Sequence, residues 1–143
     1  MKITLDSSII VEIDRKNKKV IELMKKIIEK NHEITISTVT LSEILVGPHL
    51  RKDFKKSLLE AKKILSQFLW IDVDAKIAEK TAQLLAYTII SGKLVEYPDV
   101  VISATAIQTN SDYVLTLNKQ HFDVFAELKG KVFTPDEFAK VLR

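Results

Sequence analysis

The sequence of 143 residues has no cysteine. That excludes a disulfide framework, a thiolate zinc site and a cysteine nucleophile together. Glycine and proline are scarce, at three each. No linker or low-complexity tract is therefore expected, only regular elements joined by short loops. Long apolar runs are also missing: nothing approaches the roughly 20 residues that span a bilayer. The opening MKITLDSSIIVEID is broken by Asp6, Ser7 and Ser8 before it makes a signal-peptide core. These absences lead us to expect a cytoplasmic protein with no membrane partner. A hydrophobic content of 46% suffices for a core without covalent staples. The length suits a single domain over residues 1–143. A net charge of +3 permits a nucleic-acid partner without requiring one.

What is present alternates. Residues 2–5 read as a strand that stops at Asp6, with Ser7 or Ser8 capping a helical turn. Residues 17–31 form an amphipathic helix with Val20, Leu23, Met24, Ile27 and Ile28 on one face. The β-branched run 33–37 is a second strand. A helix from Thr40 to Leu45 is expected to stop at Gly47-Pro48, and a lysine-rich helix to cover 51–66. Residues 68–73 form a third strand. Residues 75–91 form a helix burying Ile77, Ala78, Ala82, Leu85 and Ile89 and ending at Gly92. Pro98 opens an almost wholly apolar helix, 98–109. A strand at 113–117, a short helix near 119–128, a strand at 131–133 and a helix from Pro135 complete the chain. Strand–helix alternation predicts an α/β fold: a three-layer α/β/α sandwich with a mostly parallel sheet of four to five strands. Phe68, Trp70 and Tyr97 read as core or rim packing rather than base-stacking platforms.

Ligand sites in such sheets lie at the carboxyl ends of the strands. Asp6 follows the first strand, Glu43 lies early in the helix after the second, Asp99 opens the buried helix, and Asn118 follows the fourth strand. Each acid has an ordinary reading when taken singly. Asp6 can cap a helix, Glu43 can be a solvated surface residue, and Asp99 can serve the helix dipole. Gathered on one rim, three carboxylates repel and take up protons unless a cation joins them. Oxygen donors favour Mg²⁺ or Mn²⁺ over Zn²⁺, and such a site suits phosphodiester hydrolysis.

The strings ITLDSSIIVEI, STVTLSEILVG and YPDVVISATAIQTNSDYVLTLNKQHF, in that order, resemble the PIN-domain family, and among it the VapC toxins of toxin–antitoxin pairs. The resemblance implies that Asp6, Glu43 and Asp99 are an acidic triad serving catalysis and metal binding, and that Thr116 is the hydroxyl that orients it. Where the family often has a further acid, this chain has Asn118 and His121, with Asp123 as another candidate or a surface residue. Asn118 still offers a neutral carbonyl oxygen. His121 is open to metal ligation, phosphate contact, proton transfer or a structural role. The departure points to one firmly held ion, a second arriving with substrate.

By the same resemblance the substrate is RNA and the chain forms a homodimer. The side carrying Val46 and Leu50 then receives a cognate antitoxin, which inserts a basic side chain into the acidic rim. Two alternatives share the fold: a PIN nuclease of RNA processing or decay, and a catalytically inactive interaction domain. Arg51, Lys52, Lys55, Lys56, Lys62 and Lys63 either engage phosphates or form a solvated helix face balanced by Asp53 and Glu60.

Overall fold

In the computed structural model, which describes residues 1–143, strand β1 (Lys2–Leu5) is the centre of the sheet. It pairs in parallel with β2 (Glu33–Ser37) on one side and with β4 (Tyr113–Leu115) on the other. Outside these lie β3 (Leu69–Ile71) and β5 (Val132–Phe133), giving the order β3-β2-β1-β4-β5, every pairing parallel. Parallel neighbours need crossovers. The chain supplies α1 (Ser7–Asp14), α2 (Lys18–Glu29), α3 (Thr38–His49), α4 (Phe54–Leu65), α5 (Ala75–Ser91), α6 (Tyr97–Gln108), α7 (Lys119–Asp123) and the closing α8 (Pro135–Val141).

The period-2 alternation of the strands splits the core between two faces. Ile3, Leu5, Ile34, Ile36 and Leu115 pack with α1, α2 and α8 on one face. Val114 and Val132 pack with α5, α6, Phe122 and Phe125 on the other. Hydroxyls fill the remaining inward positions: Thr4 Oγ1 bonds Thr35 Oγ1 at 3.0 Å and Ser111 Oγ at 2.6 Å. The three-layer sandwich expected from the alternation is the one found.

Several local expectations are corrected. The helix after β2 does not stop at Gly47-Pro48: α3 starts at Thr38 and runs through both to His49. Pro48 stands in the last turn, where Leu50 and Arg51 N–H groups still reach the carbonyls of Gly47 and Pro48 at 3.1 and 3.2 Å. α2 is shorter than 17–31, since Asn17 is its cap, and Ile28 is 49% exposed rather than inward.

The buried face of α5 is Ile77, Thr81, Leu84 and Thr88, while Ala78, Ala82 and Ile89 are exposed and Leu85 only partly covered. Threonines tolerate burial here because their hydroxyls donate back to helix carbonyls, Thr81 to Ile77 and Thr88 to Leu85, each at 2.8 Å. Gly92, at φ +66°, then ends the helix in the left-handed conformation that glycine permits. Phe68 is buried, whereas Trp70 and Tyr97 are exposed. No helix is long and apolar enough to cross a membrane.

Candidate functional site

Because β1, β2 and β4 are adjacent, their carboxyl ends open onto one rim. Asp6 leaves β1 there, 3% exposed, with its N–H donating to Leu115 O of β4 at 3.0 Å. Asp6 itself, not Ser7 or Ser8, is the N-cap of α1. Its Oδ1 accepts from the Ser7 N–H at 2.7 Å. Its Oδ2 accepts from Ser8 Oγ at 2.7 Å and from buried Thr116 Oγ1 at 2.8 Å. The two serines are thus donors to acids. Ser7 Oγ reaches Glu43 Oε1 on α3, and Ser8 Oγ accepts from the Leu117 N–H at 3.0 Å. Thr116 Oγ1 also accepts from the Asn118 N–H at 2.9 Å. The turn after β4 is therefore stitched to the start of α1.

Asp99 lies in the first turn of α6, nearly buried, and its Oδ2 stands 2.7 Å from His121 Nδ1 on α7. An ionised Asp99 is the acceptor of that bond. Glu43 keeps access to solvent, yet loss of hydration on its inner side raises its carboxyl. The Ser7 hydrogen bond opposes the rise, and the charges of Asp6, Asp99 and Glu96 add to it. Burial likewise pushes the Asp99 carboxyl up, opposed by the His121 hydrogen bond and reinforced by Asp6 and Glu96. These mutual effects place Asp6, Glu43 and Asp99 within one electrostatic neighbourhood. Thr116 and His121 join them by direct hydrogen bonds. The Asn118 side chain is exposed and caps nothing, and Asp123 is exposed beyond the bonded set.

Glu96 escaped the sequence reading. It is the N-cap residue of α6 and adds negative potential to both Glu43 and Asp99. Its signal in the sequence was its place just before Tyr97-Pro98-Asp99, in the loop that must run along the rim. No lysine or arginine pairs with any of these four acids. The negative potential is therefore uncompensated by protein cations, the condition under which a hard divalent ion is favoured. No three histidine or acidic side chains stand in ready ligating geometry: the acids share a rim rather than a closed cage. The donors still fit a hard cation, being oxygens only, with Asp6 Oδ1, Asp99 Oδ1 and Glu43 Oε2 on the side away from the second-oxygen contacts.

Beside Glu43 a groove of about 280 Å³ runs between α1, α3 and α4. It is floored by Ile10, Ile44, Pro48, Ala61 and Ile64 and edged by Asp14 and Glu60.

The PIN-domain family model matches residues 3–128. No curated protein sequence matches the chain. Among solved structures, a chain of VapBC2 from Rickettsia felis, bound to a DNA fragment from their promoter, is similar at 23% identity. The TM-score is 0.83, covering 94% of this chain and 98% of that one. DNA-bound VapBC from Salmonella typhimurium gives 22% identity and a TM-score of 0.81, with 94% and 98% covered. FitAcB from Neisseria gonorrhoeae gives 27% identity and 0.76, with 93% and 97% covered.

Proposed function

The chain belongs to the PIN-domain family, and on that premise we propose that it is a metal-dependent endoribonuclease, the toxin of a VapBC-type toxin–antitoxin pair acting in the cytoplasm. The observation that carries the reading is the convergence of Asp6, Glu43 and Asp99, without a balancing lysine or arginine, on the rim where β1, β2 and β4 end. PIN domains are generally nucleases, and the similar VapBC and FitAcB structures support the toxin assignment.

In this reading Asp6 and Asp99 hold the ion, Mg²⁺ or Mn²⁺. When bound, such an ion lowers the pKa of water and neutralises charge on the phosphate. Thr116 and Ser8 fix Asp6 from behind. Glu43 accepts a hydrogen bond from the attacking water and orients it. Attack at phosphorus breaks the bond to the 3′ oxygen, which takes up a proton, leaving a 3′-hydroxyl and a 5′-phosphate. Thr116, Asn118 and His121 are accessory, the first through Asp6 and the last through Asp99.

Two surfaces support the proposed partners. The groove beside Glu43 has an apolar floor and acidic edges, which suits an antitoxin segment of apolar residues carrying a basic side chain toward the acids. Ile89, Ile90 and Leu94, 77%, 85% and 98% exposed, form an apolar patch leading into α6. Contiguous exposed apolar surface of this kind marks an interaction site, and we assign it to the homodimer. Calorimetric titration with Mg²⁺ tests the reading: wild type is expected to bind and Asp99→Asn to lose the binding. Equal or absent binding in both would favour an inactive interaction domain.

A further inference from the structure

Each acid of the triad has one oxygen committed to protein donors and the other not so held. Asp6 Oδ2 accepts two hydroxyls, Ser8 Oγ at 2.7 Å and Thr116 Oγ1 at 2.8 Å, which fills its lone pairs. Asp6 Oδ1 accepts only the Ser7 N–H at 2.7 Å and retains one lone pair. Asp99 Oδ2 faces His121 Nδ1 at 2.7 Å. Glu43 Oε1 takes the Ser7 hydroxyl. The donors come from α1, α7 and the end of β4, so three separate elements produce the same outcome at three different carboxylates. A carboxylate held in this way presents a single oxygen. That matters because divalent ions differ in what they accept. Mg²⁺ demands a compact octahedron of single oxygens and keeps several waters, whereas Ca²⁺ takes six to eight oxygens and readily uses both oxygens of a carboxylate.

We propose that His121 and Ser7 are positioning residues that hold Asp99 and Glu43, as Ser8 and Thr116 hold Asp6, in single-oxygen presentation, so that the site selects a small octahedral cation over Ca²⁺. The inference rests on the metal-binding reading above and assigns that site its selectivity. His121 acts here through Asp99. Its Nδ1–H is the donor, and no proton transfer or direct ligation by the imidazole is involved.

The test is calorimetric titration of the full chain with MgCl₂ and, separately, CaCl₂, in wild type, His121→Ala, His121→Asn and Ser7→Ala. Melting curves without metal check that each variant is folded. Wild type is expected to bind Mg²⁺ more tightly than Ca²⁺. Loss of a residue that orients a ligand typically costs 10- to 100-fold in metal affinity, so His121→Ala should weaken Mg²⁺ binding by at least about tenfold. Its freed Asp99 oxygen should spare Ca²⁺, so that the Mg²⁺/Ca²⁺ affinity ratio falls. His121→Asn, whose amide N–H donates from near the Nδ1 position, should recover the ratio. Ser7→Ala, at a partly exposed position, carries the same test to Glu43 if His121→Ala does not fold. A ratio unchanged in both alanine variants, or a wild type that prefers Ca²⁺, overturns the proposal and leaves the ion site standing. A wild type that binds neither ion overturns the metal reading and the proposal with it.

Discussion

His121 Nδ1 stands 2.7 Å from Asp99 Oδ2, joining α7 to the first turn of α6 across 22 residues of sequence. The contact gives a nearly buried carboxylate its hydrogen-bond donor in a neighbourhood where every other close charge is negative. Burial and repulsion still prevail over that donor, and the Asp99 carboxyl remains raised.

A pH dependence follows. Asp99 and Glu43 both have folded-state values above their ordinary ones, with burial the first cause in each. Between the unfolded and folded values the native chain binds more protons than the unfolded chain. The contribution of these groups to stability therefore falls as pH rises through that window, above the ordinary carboxylate range. Urea unfolding in EDTA across this range should show the decline, and Asp99→Asn should flatten it. Saturating Mg²⁺ should add stability only above the window, where the acids are ionised. The gain is about 2.7 kcal/mol at a hundredfold excess over Kd.

The last helix offers a test away from the rim. Thr134 and Glu137 form a reciprocal capping box: Glu137 N–H donates to Thr134 Oγ1 at 3.3 Å and Thr134 N–H to Glu137 Oε2 at 3.0 Å. Thr134→Ala is expected to cost about 1 kcal/mol in urea unfolding. It should leave Mg²⁺ binding unchanged.

Phe138 anchors the same helix in the core. It is fully buried, with ring centroids 5.2 Å from Tyr113 and 6.0 Å from Phe133. Phe138→Ala removes most of that volume and should cost about 3–5 kcal/mol. A cost below about 1 kcal/mol on thermal or urea unfolding would mean that α8 does not dock as described.

Much of this was legible before any coordinates. Strand–helix alternation gave the parallel sheet, and Asp6, Glu43 and Asp99 stood out as acids at strand ends. What stayed hidden depended on tertiary packing. Helix α5 carries apolar residues around much of its circumference, so periodicity did not reveal that Thr81 and Thr88 face the core while Ile89 faces out. Pro48 looked like a stop because a proline in a helix interior loses a bond, but in the last turn of α3 that loss is tolerated. Glu96 was overlooked because a loop acid has no pattern to mark it. The donor roles of Ser7 and Ser8 were hidden behind their more common use as caps.

The central claim is that the gathered acids hold an ion that serves RNA cleavage. Its most direct test is single-turnover cleavage of RNA by the purified chain, freed of any bound partner, with Mg²⁺ or EDTA, for wild type and Asp6→Asn. Wild type should cleave only with the ion and leave 5′-phosphate ends. Asp6→Asn should be slower by at least about 10²-fold, the scale of losing one preorganised electrostatic group. Wild-type-like, metal-dependent cleavage by Asp6→Asn would contradict the assignment.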